Sequence, residues 1–252
     1  MLGLGTSILS PYVADAGYVN THSLSLDGDG GSGNSDADFL DTNTTLQAQI
    51  RNSFSISLWV KLDDGRAVSS QTLAGASDVG NIVGFTVTTA GVISFSHFAN
   101  SDFALASTDA AVFSNGANDW THVGVVVTKL FMGGNTNYKI YVNGSQVAST
   151  TLFGISGANH GSYTSTINLG FGVANSATIT SHLGGLIDEC AFFDDFLTDA
   201  EMSAIGGGGA PTDITGHDHL FLYYKLNNST TDEVGNSNGS LNGQAAFSTT
   251  TP

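Results

Sequence analysis

Residues 53–62 read SFSISLWVKL, with Phe54, Ile56, Leu58 and Val60 or Leu62 two positions apart on one face. A period of two puts alternate side chains on opposite faces of an extended strand, so this stretch is a half-buried β-strand. The pattern recurs along the chain. SLSLDGDG, from Ser23, alternates and then enters a turn-rich stretch from Gly28 to Asp38. Gly84–Thr88 and Val92–Phe98 flank a short turn and form a hairpin. Trp120–Thr128, Asn137–Asn143, Gln146–Thr151, Thr166–Phe171 and Gly185–Phe193 continue the series. Asn143-Gly144 is the sharpest turn signal, because both residues tolerate positive φ. One helix stands out: Thr198 serves as its N-cap, Glu201 closes a capping box, and Gly206 to Gly209 end it. Many short strands with one short helix make an all-β sandwich rather than a βαβ fold. Its expected core is Phe54, Ile56, Leu58, Val123, Val125, Ile140, Val142, Leu169, Ile187 and Phe192; Trp59 and Trp120 are left free to face either side.

The chain divides into an N-terminal arm (1–20), a sandwich (21–209) and a C-terminal extension (210–252). LFLYYKL, Leu220–Leu226, is the extension's one clear strand, too little for a core of its own, so it is expected to dock on the sandwich. Leu2, Leu4, Ile8 and Leu9 make the arm too apolar to stay in water, which predicts contacts with a second subunit. The opening segment lacks the basic n-region and long apolar run of a secretory signal, and no run approaches a membrane span. Six basic against 22 acidic residues give a net charge of −16, which repels nucleic acid and anionic membranes. Cys190 is the one cysteine, so no internal disulfide can form.

FSISLWVKL, WTHVGVVV, YKIYVNGSQV and GGLIDECAFFDDFLTDAEM, in that order, resemble the laminin-G-like, concanavalin A-like jelly-roll family. The resemblance covers about residues 22–206 and implies a jelly-roll β-sandwich. That fold carries lectins, hydrolases, adhesion domains and structural modules, so it does not by itself choose a function. The extension, PTDITGHDHLFLYYKLNNSTTDEVGNSNGSLNG, is similar to a segment that accompanies such domains in tailed-phage structural proteins. Tyr223-Tyr224-Lys225 stand there where tryptophan and arginine are more usual. The family resemblance also implies a structural calcium between the start and end of the domain. Asp188 matches the aspartate of the closing segment, and Asp27 and Asp29 of LDGDG, with Asp36 and Asp38 nearby, would complete the site. The alternative is that Asp188 hydrogen-bonds the backbone while the loop acids are solvated.

Catalytic motifs are not found. The adjacent acid pairs Asp63-Asp64, Asp188-Glu189, Asp194-Asp195 and Asp232-Glu233 would point to opposite faces of a strand, which suits turn and surface carboxylates better than joint acid–base work. No nucleophile motif accompanies the seven histidines; Cys190 is expected as a buried, inert thiol and His122 as a structural, hydrogen-bonded residue. His217 and His219 offer two ligands without a third, short of a zinc site. Phe98, Phe103, Phe113, Phe153 and Tyr163 lie in or near loops, yet no spacing singles out a sugar platform, so the carbohydrate-binding residues stay unknown. Two functional readings are open. The first is a non-enzymatic structural protein of a bacteriophage particle, a capsid-decoration, fibre or tail component that forms a homo-oligomer, with glycan adhesion as an added role. The second is a carbohydrate-binding or adhesion module at a bacterial surface or outside the cell.

Overall fold

A computed structural model describes residues 18–28, 37–45, 53–78, 81–99, 102–129, 136–152, 166–172 and 181–252. The expected strand Ser53–Leu62 forms as β3 (Phe54–Leu62). Its neighbours β8 (Thr121–Lys129), β9 (Thr136–Val142) and β10 (Ser145–Leu152) lie to one side, and β14 (Gly184–Phe193), β1 (Ser23–Asp27) and β17 (Ala246–Ser248) to the other. The order β10-β9-β8-β3-β14-β1-β17 makes one sheet, with β15 (Leu220–Tyr224) also paired to β14. The second sheet runs β16-β2-β11-β4-β5-β6-β7. Its members are β16 (Ser240–Asn242), β2 (Phe39–Asp41), β11 (Asn168–Leu169), β4 (Gln71–Asp78), β5 (Asn81–Val87), β6 (Ile93–Ala99) and β7 (Asp102–Ser107). A two-stranded ribbon, β12 (Phe171–Gly172) with β13 (Ser181–His182), forms a separate small sheet against β4. All the described pairings are antiparallel.

The sheets pack face to face over one apolar core. Phe54, Ile56, Leu58, Val123, Val125, Ile140, Leu169, Ile187 and Phe192 are all buried in it, and Val142 packs against its rim. Phe95 of β6 is central: its ring lies 6.1 Å from Phe54, 6.3 Å from Phe85 and 6.0 Å from Tyr138, so it joins both sheets. Phe113 is also core, so it is not a loop platform. The C-terminal strands divide their pairing: β15 adds to β14, β17 to β1, and β16 to β2 of the opposite sheet.

A second apolar layer covers the outer face of the larger sheet. Val126, Tyr141, Ala191, Phe193 and Tyr223 point outward and are roofed by Leu197, Met202, Ile205 and Ile214. The roof includes helix α1 (Asp199–Gly206), whose capping box forms as the sequence predicts: Glu201 N–H donates to Thr198 Oγ1 at 3.2 Å, and Thr198 N–H donates to Glu201 Oε2 at 2.7 Å. The helix ends at the glycines that the sequence marks. Gly207 caps it in a right-handed conformation, and the left-handed turn waits until Gly209. The helix sits this close because two glycines leave room. A Cβ on Gly124 would meet Met202 Sδ at 2.7 Å, and one on Gly206 would land 2.0 Å from His122 Nδ1. His122 is fully buried, bonded to Ser57 Oγ at 2.8 Å, and edge-on to buried Trp59 at 5.6 Å. That ring cannot retreat, so Gly206→Ala should cost about 1–3 kcal/mol, the usual penalty for overpacking, in urea-unfolding midpoints. An unchanged midpoint would contradict this packing.

Candidate functional site

The residues expected to hold calcium separate along β1. Leu24 pairs with Ile187 and Asp27 with Gly184, so Asp188 stands level with Ser23, at the opposite end of the strand. Four residues of strand span roughly 13 Å. Asp27 is exposed at a loop end beside Asp63, Asp64, Gln71 and Gly184, around a hollow of about 300 Å³. Backbone N–H groups of Arg66 and Gly116 bond Asp64 Oδ1 and hold its carboxyl below its ordinary range. Asp38 accepts from the backbone N–H of Asp27 at 3.2 Å and from that of Gln244. Asp29 and Asp36 lie outside the described residues. Among the described residues, no three His, Cys, Asp or Glu side chains converge closely enough to hold a metal. Asp188 and Asp27 therefore do not fit calcium as a set.

Asp188 and Glu189 are not surface carboxylates but buried ones, because β14 bulges between them and Ala191. Glu189 takes φ +50°, and the extra residue lets β1 and β15 meet the same edge of β14 end to end. The seam between them is filled by side chains from both ends of the chain. Asp188 Oδ2 accepts from Asn20 Nδ2 at 2.6 Å, and its Oδ1 from the Glu189 N–H at 3.0 Å. Glu189 accepts from the hydroxyls of Tyr18 and Tyr223. Lys225 lies over both of those rings, 5.3 and 5.7 Å from their centroids, and pairs with Asp213 at 2.9 Å. Asn227 Oδ1 accepts from the backbone N–H groups of Thr21 and His22 at 2.7 and 3.1 Å. Burial pushes the Asp188 and Glu189 carboxyls up to about 8, and pushes the Cys190 thiol well above its ordinary value. These bonds clasp residues 18–22 to β14 and β15; neither carboxyl lines the loop-end hollow or the groove beside α1.

That groove runs along the outer face of the larger sheet, beside the first turn of α1, with a volume of about 430 Å³. Its floor is Val126 and Leu197, both buried. Phe196 stands on its wall with 45% of its surface exposed, the only aromatic among the large exposed apolar side chains of the described residues. The loop carrying it is pinned, since Ser55 Oγ donates to the Asp195 carbonyl at 3.1 Å and accepts from the Leu197 N–H at 2.9 Å. Across the floor, register places Lys139 directly opposite Val126. Lys139 Nζ donates to Asp199 Oδ1 at 2.7 Å, and Tyr141 Oη donates to the same oxygen at 2.6 Å. Those two bonds hold the Asp199 carboxyl below its ordinary range. Thr128, Thr198 and Ala200 complete the lining. The surface open to solvent here is the Phe196 ring, the Lys139–Asp199 pair and the neighbouring threonines, around a shallow hollow. Sequence reading missed it: Phe196 looks like one more apolar residue of the closing segment, and Lys139 joins it only through the β8–β9 register.

The other expected residues are dispersed. His217 packs edge-on against Phe193 at 5.1 Å, whereas His219 lies 3.4 Å from Asp194. Phe153 and Tyr163 lie outside the described residues.

A family model described as the concanavalin A-like lectin/glucanases superfamily, of the laminin-G type, matches residues 31–203. The chain belongs to this family of β-sandwich domains. No curated protein matches it. Among solved structures, it is similar to a candidate carbohydrate-binding protein from Bacteroides ovatus, at 17% identity and a TM-score of 0.59, over 92% of this chain and 60% of that one. It thus spans less than two thirds of that protein's length. A heptameric SAP-like pentraxin from Limulus polyphemus is similar at 14% identity and a TM-score of 0.57, over 90% of this chain and 94% of that one. The carbohydrate-binding module (CBM40) of a Ruminococcus gnavus IT-sialidase, bound to α2,3-sialyllactose, is similar at 18% identity and a TM-score of 0.53, over 69% and 94%. Likeness at such identities establishes the shared fold.

The clasp and His122 set opposite pH limbs. The folded-state values of Asp188 and Glu189, about 8, lie above their ordinary 3.8 and 4.5. Their contribution is therefore complete at acid pH and is lost as pH rises from about 4 to 8. Burial pulls the His122 imidazole down to about 3 from 6.5, so its contribution is complete above 6.5 and is lost as pH falls towards 3. Urea unfolding should show stability falling between pH 5 and 8, by on the order of a few kcal/mol. In Asp188→Asn/Glu189→Gln that decline should flatten. Parallel curves for the two proteins would contradict the assignment.

Proposed function

We propose that this chain is a non-catalytic carbohydrate-binding module whose sugar contact is the Phe196 groove. The observation that carries the reading is the exposed Phe196 ring set beside the exposed Lys139–Asp199 pair. A pyranose has one face of C–H groups and a rim of hydroxyls. The Phe196 ring desolvates the face, and the paired cation and carboxylate meet the rim. Two of the similar sandwich structures, those from Bacteroides ovatus and Ruminococcus gnavus, are named for carbohydrate binding and support the same class.

Hydrolysis is not part of this reading. A glycosidase needs one carboxyl kept protonated near neutral pH beside the bond and a second one across from it. The carboxyls that burial pushes up are Asp188 and Glu189, which line neither hollow, and Asp199, the one carboxylate in the groove, is held low. The virus-particle reading rests on the likeness of the extension, and has no counterpart in the Bacteroides, Limulus and Ruminococcus structures. The expected subunit contacts of residues 1–17 fall outside the described residues.

Two outcomes are expected. In affinity electrophoresis against immobilised polysaccharides, at least one should retard the protein, and Phe196→Ala should weaken that retention tenfold or more, about 1.4 kcal/mol. Its thermal midpoint should stay nearly that of the parent, because the ring is half exposed. The retained polysaccharide should release no reducing ends on prolonged incubation. Retention unaffected by Phe196→Ala would move the site elsewhere, and steady reducing-end release would overturn the non-catalytic assignment.

A further inference from the structure

Resting on that reading, we infer that the groove selects neutral pyranoses through a vicinal diol and rejects anionic sugars. Two opposite charges are closely spaced on its wall. Lys139 Nζ, a donor without acceptor capacity, and Asp199 Oδ1, an acceptor, stand 2.7 Å apart there. Their side chains are 30% and 66% exposed, so both keep bonding capacity toward the groove. Adjacent hydroxyls on a sugar ring match this arrangement. One O–H donates to the carboxylate while its neighbour's oxygen accepts from the ammonium. Hydrogen bonds to ionised partners are the stronger kind, so the pair reads a diol more firmly than neutral side chains would.

The same pair removes the means of holding an anion. Lys139 is the cation lining the groove, and Asp199 already neutralises it. Tyr141 spends its hydroxyl on Asp199 as well, and cannot turn to a ligand without releasing that bond. A sialic acid or uronic acid carboxylate would approach Asp199 as closely as it approaches Lys139. It would also enter the field of a chain with net charge −16, which salt screens only beyond a Debye length of about 8 Å. The first turn of α1 also lines the groove, but the N–H groups of Thr198 and Glu201 are engaged in the capping box, and the Asp199 and Glu201 carboxylates offset the helix's positive end. The exposed face of Phe196 carries the negative side of its ring quadrupole, which favours polarised C–H groups over a carboxylate. Selection against charged sugars therefore comes from an absent compensating charge rather than from shape.

The test is a calorimetric titration of the full chain with matched pairs of oligosaccharides at about 0.15 M salt, near physiological ionic strength. Each pair is a neutral hexose oligomer and its sialylated or uronate-bearing counterpart, such as lactose and 3′-sialyllactose. At least one neutral member should bind, with its anionic partner tenfold weaker or worse. Periodate treatment of the bound neutral sugar, which cleaves vicinal diols, should abolish binding. Asp199→Asn frees Lys139, so it should weaken the neutral sugar and bring the anionic partner to within a few fold of it. Asp119→Asn makes the same charge change outside the groove and should leave the ratio unchanged. Circular dichroism melts confirm that both variants fold. Equal or tighter binding of the anionic partners by the parent protein would overturn the selectivity while leaving a carbohydrate-binding module in place. Binding of no saccharide in either set would remove the reading on which it rests.

Discussion

The architecture depends on one constraint in β14: this strand must switch its inward parity partway along. Ile187 and Phe192 both belong to the core, yet they are five residues apart, and a strict period of two would send one of them outward. The bulge at Asp188–Ala191 supplies the missing residue. Before it Ile187 faces the core; after it Cys190 and Phe192 do, and Ala191 and Phe193 turn to the outer layer. The bulge also leaves a seam between β1 and β15, and the side chains that close it come from residues 18–22 and 223–227. Two buried carboxyls are the cost of that closure, and hydrogen bonds from Tyr18, Asn20 and Tyr223 offset it.

Beyond the bulge, the altered parity shapes the outer surface. With Phe193 and Ala191 facing outward, the larger sheet has an apolar outer patch that must be covered, and α1 with its flanking loops covers it. The cover is incomplete. The helix starts at Asp199, and the loop ahead of it is tied down by Ser55, so Val126 and Leu197 are covered while Phe196 stands exposed at the margin beside Lys139 and Asp199. The proposed binding surface is thus the uncovered margin of a layer that the fold needs for its own stability. That accounts for an exposed aromatic held on a rigid support rather than on a mobile tip.

Much of the sandwich was legible in the sequence because its inner faces obey a simple period. Phe54 to Leu58, Val123 to Val125 and Ile140 announce themselves by alternation, and Thr198 with Glu201 announces the helix start. β4, QTLAGASD, and β7, DFALAS, were not read, because small residues dilute the alternation that pattern reading needs. The bulge was invisible for another reason: Asp188-Glu189 looks like an exposed acid pair unless its burial is known. The candidate site was not legible at all. Lys139 is 57 residues from Phe196, and Val126 is 13 residues from Lys139; only the β8–β9 register and the roof over the outer face join them. The separation of Asp27 and Asp188 was hidden for the same kind of reason, since they flank one strand pair but stand at opposite ends of it.

The central claim is a place on the molecule, and residue-resolved NMR of the isotope-labelled chain titrated with a neutral oligosaccharide tests it most directly. Progressive shifts should cluster on the backbone amides of Val126, Thr128, Lys139, Phe196, Leu197 and Asp199, with the Tyr18–Glu189 seam unmoved. Shifts gathered instead around Asp27, Asp63, Asp64 and Gln71, or spread without a centre, would contradict it.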